Sequence, residues 1–194
     1  MKHALTSADI LPPDEYERIR DEKRRAIIAT KSNRRIAVGP YAMFTFENFD
    51  TMWLQVHEML RIEKGGAGQL KDELQAYNPM IPKGHELVAT VMLEIEDPVR
   101  RAAVLATLGG IESHIELRFG GEAIKAEAER DLDYTSAEGK ASSVQFVHFP
   151  FAPAQIAKFR APAAEVAVAI THPNYGHMAI MPQAVKQALA GDFS

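Results

Sequence analysis

Cysteine is absent from this chain of 194 residues. Its absence excludes disulfides, thiolate nucleophiles, iron–sulfur clusters and cysteine-ligated zinc held by the chain itself. No stretch approaches the roughly 18 consecutive apolar residues of a membrane-spanning helix, and residues 1–13 contain no apolar run of signal-peptide length. We therefore expect a cytoplasmic protein without a membrane partner.

Positive charge is also scarce. Lys and Arg number 22 against 26 Asp and Glu, which gives a formal net charge of −4 and a pI of about 6.0. Because nucleic-acid binding depends on a surplus of Lys and Arg, this balance argues against nucleic acid as the main partner. Hydrophobic residues make up 46% of the chain, which is enough for the core of one domain.

Several catalytic signatures are missing as well. The sequence has no Walker phosphate loop, no GxGxxG after a predicted strand, no HExxH, no GxSxG and no EF-hand. The glycine-rich run Gly65-Gly66-Ala67-Gly68 follows a predicted helix and lacks the Lys and Ser or Thr of a phosphate loop. The sequence alone therefore does not reveal an activity, and on balance it favours a protein that is not an enzyme.

The pattern of apolar residues predicts interleaved helices and strands. Helical spacing covers residues 14–31, 48–64, 67–77, 98–108, 153–159 and 182–191, and strand-like runs cover 36–46, 86–95, 111–119, 144–149, 165–172 and 177–181. Many neighbouring strands are joined by short loops, which favours antiparallel pairing. We predict a single α+β domain over residues 1–194, with a largely antiparallel sheet packed against several helices. Residues 1–12 are expected to form a loosely ordered N-terminal segment.

The Gly120-Gly121 pair predicts a two-residue hairpin turn. That turn would place Glu116 opposite Lys125 and His114 opposite Glu127, and both would be favourable cross-strand pairs. The polar residues 130–142 that follow are predicted to form a loop.

Two histidines form the nearest approach to a metal-binding motif. His172 and His177 bracket the segment 173–176, and a four-residue hairpin loop there would bring their Cβ atoms to about 4.5–5.5 Å. His148 is the candidate third ligand, and Glu165 is another, for a divalent transition metal such as zinc, iron, copper or nickel. The alternative is that both histidines cap a tight turn, because two ligands do not complete a site.

A polar ridge on the helix predicted at 48–64 suggests a binding surface. Thr51, Gln55, Glu58 and Arg61 recur every three or four residues and therefore share one face. Glu63 falls within the apolar stripe instead, so it is either buried and functional or exposed at a protruding helix end. With polar positions downstream, the predicted recognition surface consists of Gln55, Glu58, Arg61, Glu63, Glu73, Tyr77 and Asn78.

The helix predicted at 14–31 carries charges of both signs. One interpretation is a basic arm that contacts phosphate or acidic lipid with the help of Arg34 and Arg35. The other, which alternating charges favour, is a solvated helix face.

Several short motifs together resemble a bacterial family known only as a domain of unknown function. They include Thr6-Ser-Ala-Asp-Ile-Leu, Glu15-Tyr-Glu-Arg-Ile-Arg, Phe46-Glu-Asn-Phe-Asp-Thr, Gln55 with Glu58-Met-Leu-Arg-Ile-Glu, Glu73-Leu with Ala76-Tyr-Asn-Pro, Ile81-Pro82 and Thr171-His-Pro-Asn-Tyr. Genes of such proteins often lie beside those of a rubrerythrin-like protein and an iron–sulfur oxidoreductase resembling heterodisulfide reductase subunits. The resemblance therefore implies an accessory or binding protein in peroxide defence or iron-dependent redox metabolism, with a protein partner from that system. It supplies no catalytic residues, and it leaves homo-oligomerisation open.

Overall fold

A computed structural model describes residues 2–130 and 132–194, with Ala67 described by its backbone alone. The helices in these ranges are α1 (Pro13–Ser32), α2 (Phe49–Glu63), α3 (Gly66–Tyr77), α4 (Pro98–Leu105), α5 (Pro153–Arg160) and α6 (Gln183–Ala190). Short 3-10 turns cover Ser7–Asp9, Asn78–Met80 and Ile111–His114. Within the described ranges, no helix combines the length and the hydropathy that crossing a bilayer requires.

The strands of the described residues form two antiparallel sheets. They are β1 (Arg35–Val38), β2 (Ala42–Phe46), β3 (Glu86–Leu93), β4 (Ile115–Phe119), β5 (Glu122–Lys125), β6 (Glu127–Ala128), β7 (Val144–Pro150), β8 (Val166–His172) and β9 (Tyr175–Ile180). The first sheet has the order β1-β2-β3-β7-β6 and the second the order β5-β4-β8-β9. Ala126 alone separates β5 from β6, so one chain segment belongs to both sheets. The predicted α+β class and the antiparallel pairing are confirmed.

The inner faces of the two sheets share one hydrophobic core. Phe44 and Leu87 from the first sheet and Leu117 and Val168 from the second are completely buried within it. This arrangement follows from the alternation of buried and more exposed residues along strands such as β4 and β7, since successive side chains of a strand point to opposite faces.

Helices α2 and α3 cover the outer face of the first sheet. Met52 and Val56 of α2 form a second apolar cluster with Val88 of β3, and Phe146 of β7 packs against it. The strands of this sheet are therefore covered on both faces at this point, which holds α2 in a fixed position.

Local signals determine where α2 begins and ends. The Asn48 side chain accepts a hydrogen bond from the Thr51 amide at 3.0 Å, and the Thr51 hydroxyl accepts one from the Asn48 amide at 2.9 Å. This reciprocal cap makes Asn48 the N-cap, and of Asn48 and Asp50, the two starts that the sequence allowed, it selects the first. Lys64 ends the helix in the left-handed conformation, with φ 54°. The helix bounds in turn determine which side chains of α2 face α1.

The strand predicted over 111–119 begins later than expected. Ile111–His114 form a 3-10 turn, and β4 starts at Ile115. The reason is Gly110, whose φ of 80° turns the chain immediately before this segment. Alternating apolar residues continue through the turn, so the pattern alone could not separate the two.

One of the two predicted cross-strand pairs is confirmed and the other is wrong. Glu116 pairs with Lys125 as expected from the Gly-Gly turn. His114 does not face Glu127, because the pairing with β4 ends where β5 ends. The chain then crosses to the first sheet, where residues 127–128 form β6. Glu127 therefore pairs with His148 of β7.

Candidate functional site

The polar ridge of α2 contacts α1. Glu58 accepts hydrogen bonds from Arg20 at 2.7 and 2.8 Å, one to each carboxylate oxygen, and from the Tyr16 hydroxyl at 2.6 Å. Arg61 donates to the Glu17 carboxylate at 2.7 and 3.2 Å. The Arg20 guanidinium, together with the Tyr16 hydroxyl, lowers the pKa of Glu58 to about 2. Glu58 and Arg61 therefore join two helices, and Glu58 is much less available to a partner than an open ridge would be.

Gln55 and Glu63 of α2 contact side chains of α3. The Gln55 amide donates to the Tyr77 hydroxyl at 3.4 Å. The Gln69 amide donates to Glu63 and to Glu73, in each case at 3.1 Å. Glu63 is exposed at the end of its helix and Glu73 is buried, so the interpretation of Glu63 as a helix-end residue agrees with its position.

Residues 2–12, which we call the N-terminal strap, lie across this helical layer. The Leu5 amide donates to the Asn78 side chain at 2.6 Å, and the Asn78 side chain donates back to the Leu5 carbonyl at 3.0 Å. The Trp53 indole donates to the Asp9 carbonyl at 2.8 Å. Asn78, predicted as a recognition residue, is thus an anchor for the strap.

His57 is the functional candidate that the ridge analysis missed. Its Nε2 accepts a hydrogen bond from the Leu11 amide at 3.0 Å, so its Nδ1 carries the proton and donates to the Trp53 carbonyl at 2.8 Å. The ring centroid lies 3.9 Å from that of Trp53 and 4.6 Å from that of Tyr16. Burial lowers the pKa of His57. Its spacing of four residues from Trp53 was the available signal, since such residues adjoin on a helix.

A groove of about 890 Å³ opens beside His57. The strap and the start of α1 form one wall, and the end of α2 and the start of α3 form the other. Its apolar lining includes Ile10, Leu11, Leu60 and Leu70, and its charged lining includes Glu17, Arg61 and Lys64. The volume falls in the range of about 300–1,000 Å³ that is usual for ligand sites. Arg61 is thus a predicted recognition residue that does border a concave surface.

The two histidines of the predicted metal motif do not face each other. The hairpin turn consists of Pro173-Asn174, so His172 pairs with Tyr175, and Ile170 pairs with His177. The expectation of a four-residue loop was therefore wrong. Because the turn has only two residues, Tyr175 belongs to β9 and lies opposite His172, and His177 lies two residues further along β9. The ring centroids of His177 and Tyr175 are 4.5 Å apart.

Both ring nitrogens of His172 form hydrogen bonds within the protein. Nδ1 accepts a hydrogen bond from the Asn174 amide at 3.2 Å, and Nε2 therefore donates to the Gly109 carbonyl at 3.3 Å. This resembles the turn-capping alternative more than metal ligation. In the ranges 2–130 and 132–194, no three side chains of the ligating types are grouped to hold a metal ion.

His148, the candidate third ligand, lies between two carboxylates. Its Nδ1 is 3.0 Å from Glu86 Oε2, and its Nε2 is 2.8 Å from Glu129 Oε2. Burial acts to lower the pKa of His148, but the hydrogen bonds and charges of Glu86 and Glu129 raise it overall. Two carboxylate partners favour a ring on which both nitrogens carry a proton, and these contacts join β3, β7 and the segment after β6.

Comparisons with known proteins agree with the observed fold. A family model described as "Protein of unknown function (DUF3501)" matches residues 4–193. A crystal structure of a novel protein of unknown function from Burkholderia pseudomallei is similar to this chain, with 34% identity and a TM-score of 0.91. The match covers 98% of this chain and 100% of that one. A search of curated proteins finds no match.

Proposed function

This chain belongs to the DUF3501 family of proteins of unknown function, and we propose that it is an accessory binding protein for a bacterial redox system. The observation that supports the proposal is the groove beside His57, with apolar walls and a charged border. The link to redox or iron-dependent metabolism rests on the family resemblance. Because the chain has no cysteine, we assign the metal centres of that system to the partner.

The groove suits an amphipathic helix of the partner. Ile10, Leu11, Leu60 and Leu70 are only half-buried, and covering apolar surface contributes about 25 cal/mol per Å². Grooves of this kind between helices bind a helix through apolar residues spaced one turn apart. Lys64 and the Glu17–Arg61 pair at the border would set orientation and specificity.

The partner we propose is the rubrerythrin-like protein of the same organism. Calorimetric titration of that protein into the purified chain tests the proposal directly. We expect Leu60→Arg to weaken the affinity at least about tenfold, because it places a charge in the apolar lining.

Met178→Arg is the matched control for this titration. Met178 is 61% exposed on β9 and does not line the groove, so the same chemical change there should leave the affinity unaltered. Absence of binding, or equal binding by the two variants, would contradict the proposal. Circular dichroism of each variant checks that the fold is retained.

A further inference from the structure

A second surface, separate from the groove, lies on the C-terminal half of α1 and the start of β1. Residues 23–35 contain six Lys or Arg and no Asp or Glu, in a chain with a net charge of −4. Arg34 is buried and pairs with Asp192. The other five cations define what we call the basic surface, and they are Lys23, Arg24, Arg25, Lys31 and Arg35.

The cations of the basic surface have few partners within the protein. In the described part of the chain none of them forms an ion pair. Arg35 donates a long hydrogen bond of 3.3 Å to the Thr45 hydroxyl. The Nζ atom of Lys23 lies 5.8 Å from the centroid of the Trp53 ring. None of the five is therefore held in an ion pair, in contrast to Arg20 and Arg61 on the neighbouring helical face.

Ile28 lies in the middle of the basic surface and is 67% exposed. Arg24, Ile28 and Lys31 follow each other at spacings of four and three residues, so they share one helix face. The helix dipole favours a cation such as Lys31 in the last turn, but it gives no reason for a large exposed apolar side chain. Protein–protein contacts combine an apolar centre with a polar and charged rim, and Ile28 with Arg24 and Lys31 on its helix face has that composition.

We propose that the basic surface binds an acidic amphipathic helix of a partner protein, with an apolar residue of that helix against Ile28. A protein partner fits better than a nucleic acid because the exposed Ile28 offers an apolar contact that a phosphate backbone cannot use, and because the net charge of the chain is −4. It fits better than a membrane because one isoleucine offers little area for insertion. No residue of the basic surface lines the groove, so this proposal does not rest on the proposed function.

Fluorescence anisotropy with a labelled peptide tests the proposal. The probe is a helical, glutamate-rich peptide of about four turns that carries leucines one turn apart. We expect the double variant Arg24→Glu/Arg25→Glu to weaken binding at least about tenfold and Ile28→Ser to weaken it about threefold. Added salt should weaken the wild-type complex and have much less effect on the double variant.

The control is Lys71→Glu/Lys140→Glu, which makes the same change in net charge at two exposed positions outside the basic surface. It should bind the peptide within about twofold of the wild type. Equal losses in both double variants would overturn the proposal, because net charge alone would then explain binding. Tighter binding of a DNA duplex or of phosphatidylglycerol vesicles at the same salt concentration would overturn it in favour of those partners.

Discussion

His57 and His148 both join segments that are far apart in the sequence, but their surroundings shift the pKa of the two rings in opposite directions. His57 lies between two aromatic rings, and its nitrogens contact one amide and one carbonyl. His148 lies between two carboxylates. Burial acts to lower the pKa of both, yet only His57 has a lowered pKa, while that of His148 is raised. The partners of a buried histidine, more than burial itself, therefore decide its charge.

Removing His148 should lower the stability of the fold more than any other change considered. We expect His148→Ala to lower the free energy of unfolding by about 3 kcal/mol, because Glu86 and Glu129 would then face each other with no positive charge between them. Urea denaturation measures the change. Adding Glu86→Gln to His148→Ala should recover part of the loss, and a single-variant loss below about 1 kcal/mol would mean that the ion contacts are weak.

Replacing His57 by another aromatic residue should lower the stability less. In His57→Phe the stacking with Trp53 and Tyr16 is retained, but the Leu11 amide loses its acceptor. We expect a loss of about 1 kcal/mol in unfolding free energy, the usual net contribution of one hydrogen bond, because water can reach the half-buried Leu11 amide from the groove. His85→Phe, at an exposed position, is the control. A His57→Phe protein as stable as that control would show that the hydrogen bonds of His57 contribute nothing.

The two histidines should respond to pH in opposite directions. The pKa of His57 is lowered in the folded state, so its contribution is present above its ordinary value of 6.5 and declines as the pH falls below it. The pKa of His148 is raised, so its contribution is complete below 6.5 and is lost as the pH rises through the folded-state value.

Unfolding free energies on both sides of pH 6.5 measure this opposition. The advantage of wild type over His57→Phe should shrink in acid, and its advantage over His148→Ala should shrink in base. Parallel pH profiles for the two variants would show that the charge states assigned to the two rings are wrong.

The smallest effect we expect is a local change in hydrogen exchange within the N-terminal strap. Hydrogen exchange at the Leu11 amide should become about tenfold faster in His57→Phe, because one hydrogen bond to the strap is lost. Exchange at amides of β3 and β7 should be unchanged in the same sample. Fast exchange at Leu11 already in the wild type would instead support the expectation that the segment is loosely ordered.

Local elements were the most predictable part of the fold. The start of α2 after Asn48, the start of α4 at Pro98 and the Gly120-Gly121 hairpin agree with the ranges and the turn predicted from the sequence. Turn length was less predictable. Alternating residues continue on both sides of Pro173-Asn174, so the pattern could not distinguish a two-residue turn from a four-residue loop, and the pairing of His172 was misplaced as a result.

The candidate site was predictable only as a helix face. The ridge residues of α2 do share one side, but the sequence could not show that Arg20 and Glu17 of α1 would occupy it. The groove depends on how the strap, α1, α2 and α3 pack together, which is a property of their tertiary arrangement. Arg61, a predicted recognition residue, lies beside the groove, and His57 was not among the predicted site residues.

The sequence by itself determined the α+β class, the antiparallel pairing and most helix starts, since caps, turn residues and periodicity act between residues close together in the chain. Tertiary structure alone decided the groove and the charge states of the two histidines. Leu11 lies 46 residues from His57, and Glu86 lies 62 residues from His148. Such partners meet only in the folded chain, and the pKa of a buried ring depends on which of them it meets.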